Sequence, residues 1–486
     1  MKTVKVLIAG AGPSGTLLAI NLLKHNASTA KNVVYKVTVV DRLPPTLQAM
    51  DADASHRSWM ISLSAHGLLP LREHPDLYEN YIKSIGVKLE SLIIHVGKRT
   101  IESSFGDVES YAVDRNFIVA ALQRYLGDMQ DPNLTILYET ELLYVDGPKH
   151  RVLLRDVKGK EYYEGYDWLC GCDGIRSVVR EAVIKRHSDF VFDIGDTFSW
   201  FKAAHLECPE GMALYAVRPL ANCLPGLGGV ILPETGNLLN LTLGVPRNQF
   251  EKIHDDLKSD DPKVVEAYLR QHFQSFEPVS YSDWAQQWVN QRWNRTGMTH
   301  ANFYHSQPLR IVLLGDSVHA TSPAIGMGMN MALKDAQDLA RILRDNNDDI
   351  EATMEAYTKE RVPEGNALSD LAMHVNCFSN FHQLLATFQL IVRPPLSKWF
   401  PGLVLPHPQE MLGITGYSLA DCYDMGVRIG LLTKHRRINE RIQREYFERQ
   451  VGMIKPHPFS WWWWLWMLAP LVGGMGYYYY KVYMGY

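Results

Sequence analysis

An α/β fold built on a parallel, doubly wound sheet is what this chain of 486 residues predicts, from three stretches. The first, KVLIAGAGPSGTLLAINLLKH, is an apolar run that reaches Gly10-x-Gly12-x-x-Gly15 and continues with helical spacing. The second, YKVTVVDR, is another apolar run and closes on Asp41. The third, LLGDSVHATSPAIGMGMN at 313–330, ends an apolar run in Gly315-Asp316, then turns through Pro and Gly into a helix. Short apolar runs without alternation are typical of parallel strands buried on both faces.

Taken in order, each element has a physical reason. Gly10 permits a tight turn, Gly12 lets backbone approach a pyrophosphate, and Gly15 lets helix pack on strand. Pro13 and Ser14 open that helix, whose N-terminus favours phosphate. Asp41 stands 26 residues beyond Gly15, placed for ribose hydroxyls, with Arg42 beside it. This is a Rossmann-like dinucleotide-binding unit. A second cluster, DWLCGCDGIRSVVRE, reads as a strand ending at Cys172-Asp173-Gly174 and a helix beginning near Ser177. Residues 85–104 and 187–290 read as β-rich, and GGVILPETGNLLNLTLGVP as a hairpin turning at PETGN. From 324 onward helical spacing dominates. The expected organisation is a discontinuous nucleotide-binding domain (1–84, 105–186 and 291–360), a β-rich domain inserted at 85–104 and 187–290, and a helical extension over 361–455.

Composition narrows the partners. Net charge is −4 with no basic block, so nucleic acid is not expected. The six cysteines are scattered, Cys170 and Cys172 too close for zinc or redox spacing, and all read as free thiols of a reducing compartment. The 18 histidines form no ligand pattern, so no metal is expected. The first apolar run is short and broken by Gly, unlike a signal peptide. The tail FSWWWWLWMLAPLVGGMGYYYY, 459–480, carries no charge and has Trp at one end and Tyr at the other. It reads as a C-terminal membrane segment, spanning or interfacial. By the positive-inside rule the basic stretch TKHRRINERIQREYFERQ before it is expected to hold the body of the chain on the cytosolic face.

GxGxxG with a distant acid, then DG…S…R, then GD…H…P…G.G.N…DA..L resembles the single-component (class A) FAD-dependent aromatic monooxygenases, over residues 4 to about 340. The resemblance implies a glutathione-reductase-like FAD-binding domain, the PHBH fold, with a β-sheet substrate domain. It implies FAD as cofactor, NADPH or NADH as co-substrate, and hydroxylation by O2 through a flavin C4a-hydroperoxide. Asp173 and Gly174 would form the family's dual motif for FAD and the nicotinamide donor, and Arg115 would lie near the diphosphate. Gly315 and Asp316 would reach a ribityl or ribose hydroxyl. Pro323, Gly326, Met327, Gly328, Met329 and Asn330 would run along the flavin ring, the helix N-terminus facing the edge that turns anionic on reduction. The family usually reads Gly-Gln-Gly where this chain has Gly326-Met327-Gly328. His319 is expected in a structural or flavin-side role, and Tyr357 and Arg361 as braces of their helix.

HRSWMISLS, LIIHVGKR, ILPETGNLLNLTLGVPRNQFEKI and YTKERVPEGNALSDLAMH resemble the kynurenine 3-monooxygenase group. The resemblance to this group also implies the mitochondrial outer membrane or endoplasmic reticulum as the membrane of the C-terminal segment. That group's substrate arginine falls on Leu92, its tyrosine near Phe105, and its asparagine at Val375 or Asn376. Leucine cannot pair with a carboxylate, although Lys88, Lys98 or Arg99 could replace the arginine after a register shift. Two other readings stand: a hydroxylase or epoxidase of a lipophilic phenol or isoprenoid on the same fold, and a non-catalytic lipid-binding chaperone.

Overall fold

The computed structural model describes residues 2–27, 33–48, 60–96, 99–106, 108–412 and 416–452. The tail at 459–480 and Lys98 lie outside them. Among the described residues no helix is long and apolar enough to cross a membrane. The chain divides into Met1–Asn439 and Glu440–Tyr486. In the second unit residues 440–450 are helical.

A six-stranded sheet centres the first unit, in the order His305–Ser306, Ile311–Leu313, Trp168–Gly171, Lys2–Ala9, Val33–Val40, Leu134–Leu137. All neighbours are parallel except the first pair. The apolar runs become the buried strands they predict: Val6, Leu7, Ile8 and Ala9 are all buried, as are Trp168, Leu169 and Cys170. Helix Pro13–Asn26 packs against Gly328–Asp345 and Arg115–Asp128. An antiparallel meander of Glu141–Asp146, Arg151–Arg155 and Glu161–Gly165 adds Val145, Val152 and Leu154 to the same core. All six cysteines are buried free thiols.

The second large sheet has seven strands: Asn294–Ala301, Phe192–Glu207, Leu238–Pro246, Leu227–Glu234, Ala216–Leu224, Ser91–Val96, Arg99–Ser104. The predicted hairpin is present, with Glu234 opposite Leu238 and its turn at Gly236 and Asn237, both at positive φ. Alternation sorts its faces. Leu239, Leu241, Leu243 and Val245 join a core capped by helices Pro262–His272 and Tyr281–Asn290. Val230 and Leu232 face the other way.

Four expectations need correction. Asn294–Ala301, expected in the nucleotide-binding domain, pairs with Phe192–Phe201 and closes the seven-stranded sheet. Gly86–Leu89, expected in the β-rich domain, pairs instead with Ser110–Asp114, which also pairs with Met60–Leu63. Strand pairing between distant segments decides both placements, and local pattern does not encode it. Much of 247–290 is helical, because Asp261 and Ser280 cap helices whose Val265, Tyr268, Leu269, Trp284 and Trp288 recur at helical spacing. No break separates 360 from 361, since one helix runs from Ile350 to His374.

Trp284 is fully buried, edge-to-face with Phe273 at 4.8 Å between centroids. Trp284→Ala should cost about 3–5 kcal/mol. Urea unfolding followed by circular dichroism measures this, and a loss under about 1 kcal/mol would mean that the helical cover is dispensable.

Candidate cofactor site

Ala9 lies in register with Val40 and with Gly171, and Gly171 with Leu313. The strands therefore deliver Gly10, Asp41, Cys172-Asp173 and Gly315-Asp316 to one edge, their carboxyl ends, where doubly wound sheets bind ligands. Gly10 has φ +104°, and a Cβ there would sit 2.2 Å from the Cys172 carbonyl oxygen. A Cβ on Gly15 would sit 2.0 Å from the Gly10 oxygen. Gly12 differs: its φ is an ordinary −76° and a Cβ there would meet nothing within 4 Å. Its backbone faces open space.

The helix that starts here has no side-chain cap, nor does the one beginning at Gly328. Helices at Arg115, Val178 and Ile350 are capped by Asp114, Ser177 and Asp349. Two uncapped N-termini at glycine turns leave N–H groups for an acceptor from outside the chain. Asp41 Oδ2 accepts the Ala11 N–H at 2.7 Å and Oδ1 the Leu43 N–H at 2.8 Å, which leaves lone pairs for hydroxyls. Arg42 is exposed beside it. Gln123 holds the glycine loop, its Nε2 donating to the Ala11 carbonyl at 2.8 Å.

Asp173 Oδ2 accepts the Val178 and Val179 N–H groups at 2.7 and 3.2 Å. Its Oδ1 is buried with no hydrogen-bond partner among the described residues, and burial pushes this carboxyl above the usual range. Gly174 follows at φ +76°. Arg180 is buried and donates to the Ser317 carbonyl at 2.7 Å and the Ile175 carbonyl at 2.8 Å, joining the second motif to the third.

Gly315, at φ +60°, closes on Ser14: a Cβ would come within 3.0 Å of its Oγ. Asp316 is exposed, yet burial by the surrounding protein raises its carboxyl, as expected at the floor of a crevice. The charges of His319 and, less strongly, Arg115 oppose that rise without cancelling it. Asp335 lies beneath. It accepts the Gly315 N–H at 2.7 Å, His319 Nε2 at 2.5 Å and Arg361 Nε at 2.9 Å. Burial opposes its ionisation, but His319 and Arg361 outweigh burial and hold it at about 2. His319 is itself spent on this contact, and burial, which lowers its value, is outweighed by Asp335. Arg361 also reaches Asp338 at 3.2 Å, so it braces two helices, and Tyr357 is buried close by.

Pro323 begins a short 3-10 turn that ends at Gly326, φ +66°, against Ser62 of strand Met60–Leu63. Met327 and Met329 are buried. The Met327 side chain packs with Met331, Leu368 and Leu371, so it serves the helical core while the backbone keeps the turn. Asn330 is fully buried, and its amide is spent within the protein: Nδ2 donates to Ser62 and Gly326 carbonyls at 2.8 and 2.9 Å, and Oδ1 accepts the Ser64 N–H at 2.9 Å. Its side chain ties the loop to the adjoining strand.

An apolar seam lies beside this loop, formed by Met60, Leu89, Ala112 and Leu232 with Phe105, Val217 and Val230. Leu92 is in register with Val217 and shares its face. Val375 and Asn376 are not in the seam: Val375 is buried at a helix end, and exposed Asn376 accepts from Gln383 Nε2 at 3.3 Å. Lys88 alternates with Leu89 and is exposed, pointing away from the seam.

Gln123, Arg180 and Asp335 carry weight that spacing did not reveal. Arg180 and Asp335 stand in quoted motifs, but a tie to a residue over a hundred positions away, or to a backbone N–H, leaves no local mark.

The open backbone at Gly12, two uncapped helices, the unpartnered Asp173 Oδ1 and the Asp316 crevice fit a dinucleotide with a ring system at one end, as FAD is. The fold and site define an FAD-binding protein. The family model described as FAD binding domain matches residues 3–372, and the chain belongs to that family. It is 24% identical to kynurenine 3-monooxygenase of Neurospora crassa, across 97% of this chain and 91% of that one. It is 23% identical to violacein synthase of Chromobacterium violaceum, across 86% and 95%. The structure of Pseudomonas aeruginosa PqsL with 2-aminobenzoylacetate superposes with a TM-score of 0.57 at 18% identity, covering 77% of this chain and 96% of that one. The protein is an FAD-dependent monooxygenase.

Gly12→Val should leave the fold intact, since nothing occupies that space, yet lower FAD affinity at least about tenfold, whereas Gly10→Ala should fail to fold. Flavin fluorescence titration with thermal unfolding separates the two, and full FAD affinity in Gly12→Val would move the diphosphate elsewhere. Asp335 is held at about 2, against 3.8 for a free aspartate, so its ionised form stabilises the fold above about pH 4 and that contribution drains between about 4 and 2. His319 has the opposite sign: its raised value stabilises at low pH, and the gain is lost as pH rises through the folded value. Asp335→Asn leaves a buried arginine short of its partner and should cost about 3–5 kcal/mol, flattening the acid limb of a stability-against-pH curve. An unchanged acid limb would assign it to other carboxylates.

Proposed function

We propose that this monooxygenase hydroxylates a small aromatic ring held in the apolar seam beside the Gly326 turn, with O2 and reducing equivalents from NADPH or NADH. The seam carries this reading: Phe105, Val217, Val230 and Leu232 offer an apolar wall a strand away from the loop assigned to the flavin. FAD, when bound, supplies the oxygen-activating chemistry. The chain would contribute position and dryness. Gly12 and the uncapped Pro13 helix would hold the diphosphate, with Arg115 alongside; Asp41 and Asp316 would hold hydroxyls; Pro323, Gly326 and Gly328 would pass backbone along the ring. The Gly328 helix N-terminus would stabilise negative charge there without a cationic side chain. Apolar walls would keep water from the reacting atoms.

Substrate polarity is a proposal of its own. The kynurenine 3-monooxygenase relatives favour kynurenine, an aromatic amino acid with a carboxylate. Against that, the resemblance aligns Leu92 with the carboxylate-pairing arginine, and of the cations that could replace it, Lys88 points away, while Lys98 lies outside the described residues and Arg99 belongs to the strand next to that of Leu92. The seam suits a neutral, lipophilic aromatic better. An isoprenoid is the second reading, on the same apolar wall.

Membrane attachment belongs with that reading. Helix Asn380–Trp399 exposes Phe381, Leu384 and Phe388, each over 60% accessible, along one face, and Leu403 follows. No acidic residue occurs from 371 to 409, while Arg393 and Lys398 do. An apolar face with cationic flanks lies on a bilayer, and the tail at 459–480 would add a second attachment with the body on the cytosolic side.

NADPH oxidation by the flavin-loaded protein, with peroxide counted, tests the substrate. L-kynurenine should leave the rate near baseline, whereas a neutral phenol should raise it with product matching NADPH consumed. Coupled 3-hydroxykynurenine formation would overturn the neutral-substrate reading. Leu384→Asp with Phe388→Asp should weaken flotation with anionic vesicles severalfold and leave flavin content alone; unchanged flotation removes this helix from the interface.

A further inference from the structure

The seven-stranded sheet has a face turned away from the cofactor crevice. On it a cavity of about 570 Å³ lies among Ile93, Leu220 and Ile231 of the sheet, the 209–213 loop and Phe276. Alternation separates it from the seam, since Val217 and Leu92 face the crevice side while their neighbours Arg218 and Ile93 face this cavity.

Arg218 is the unusual group. It is only 6% exposed and lines the cavity. Among the described residues its one hydrogen bond is a long one, 3.4 Å, to the carbonyl of Ala216 on its own strand. Among the described residues no carboxylate lies within ion-pair distance of it. Glu102 is near enough to favour its charge, but accepts from Ser91 Oγ at 2.6 Å. A guanidinium has five donors in a plane, and those of Arg218 left over from that bond open onto the cavity, where no acceptor of the described protein meets them. Other buried arginines here show the usual solution: Arg361 holds two aspartates and Arg180 two carbonyls. Arg218 has neither.

The lining defines what would satisfy it. Ile93, Leu220, Ile231, Met212 and Phe276 are apolar and suit a hydrocarbon or aromatic body. Glu210 and Glu277 stand exposed at the rim and repel a second negative charge, which disfavours nucleotides and other polyanions. We propose that this cavity is a second binding site, distinct from the crevice, for a small organic monocarboxylate whose carboxylate pairs with Arg218 and whose apolar body packs on Ile93, Ile231 and Phe276. This inference stands independently of the flavin reading.

Calorimetry on the flavin-loaded protein tests it with indole-3-acetate as probe and indole-3-acetamide as its neutral isostere. The acid should bind about 10-fold or more tighter than the amide, and Arg218→Gln should weaken the acid by about 10- to 100-fold, the worth of a charge-assisted pair. The flavin absorbance of Arg218→Gln should match the parent, so a collapse of the crevice is recognisable. If that variant does not fold, Arg218→Lys, which keeps charge without the planar fork, and Ser275→Trp, which fills the mouth, should each weaken the acid severalfold. Equal affinity for acid and amide, no binding at millimolar probe, or parent-like binding in the variants overturns the proposal.

Discussion

Asp335 is fully buried, carries its charge, and is met by a backbone N–H, an imidazole and a guanidinium. Each partner belongs to a different part of the chain: the Gly315 turn, the short helix Asp316–His319, and the long helix Ile350–His374. A buried carboxylate is tolerable only when so surrounded. The requirement therefore holds the third glycine motif in place from below, while Ser14 packs on it from the side. Were Asp335 apolar, Gly315 would lose its tie, His319 and Arg361 would lose their counter-charge, and the Asp316 floor would have no fixed height.

The strand ends supply the other half of that geometry. Parallel pairing brings Ala9, Val40, Gly171 and Leu313 level, and the residues that follow emerge together. Backbone contact then selects glycine at Gly10 and Gly15, where any Cβ would enter a carbonyl. Gly12 is free of such contact. Its glycine answers to whatever occupies the space above it, which distinguishes a ligand-facing position from a packing one.

The two faces of the seven-stranded sheet divide the remaining work. One face meets the small sheet of Met60–Leu63 and forms the seam next to the Gly326 turn. The other carries a helical cover and the Arg218 cavity. Single-residue alternation along Ala216–Leu224 and Ser91–Val96 sends adjacent residues to opposite destinations. Leu92 and Val217 turn to the apolar seam on one side, Ile93 and Arg218 to the cavity on the other.

The sequence by itself determined the nucleotide-binding half of the protein: Gly10-x-Gly12-x-x-Gly15, Asp41, Asp173-Gly174 and Gly315-Asp316 all carry signals within a few residues, because turns, caps and buried strands are local demands. The hairpin at 227–246 was legible for the same reason. Tertiary structure alone decided that Asn294–Ala301 completes the distant sheet, that Gly86–Leu89 leaves it, and that 247–290 folds largely as helix over it. It also decided that Asn330 and Met327 turn their side chains into protein, and that Val375 and Asn376 stay out of the seam. Gln123, Asp335 and Arg218 owe their roles to partners, or to the lack of one, far along the chain. Spacing records what neighbours in sequence need; charge pairing, register and burial are settled between segments that meet only once the chain has folded.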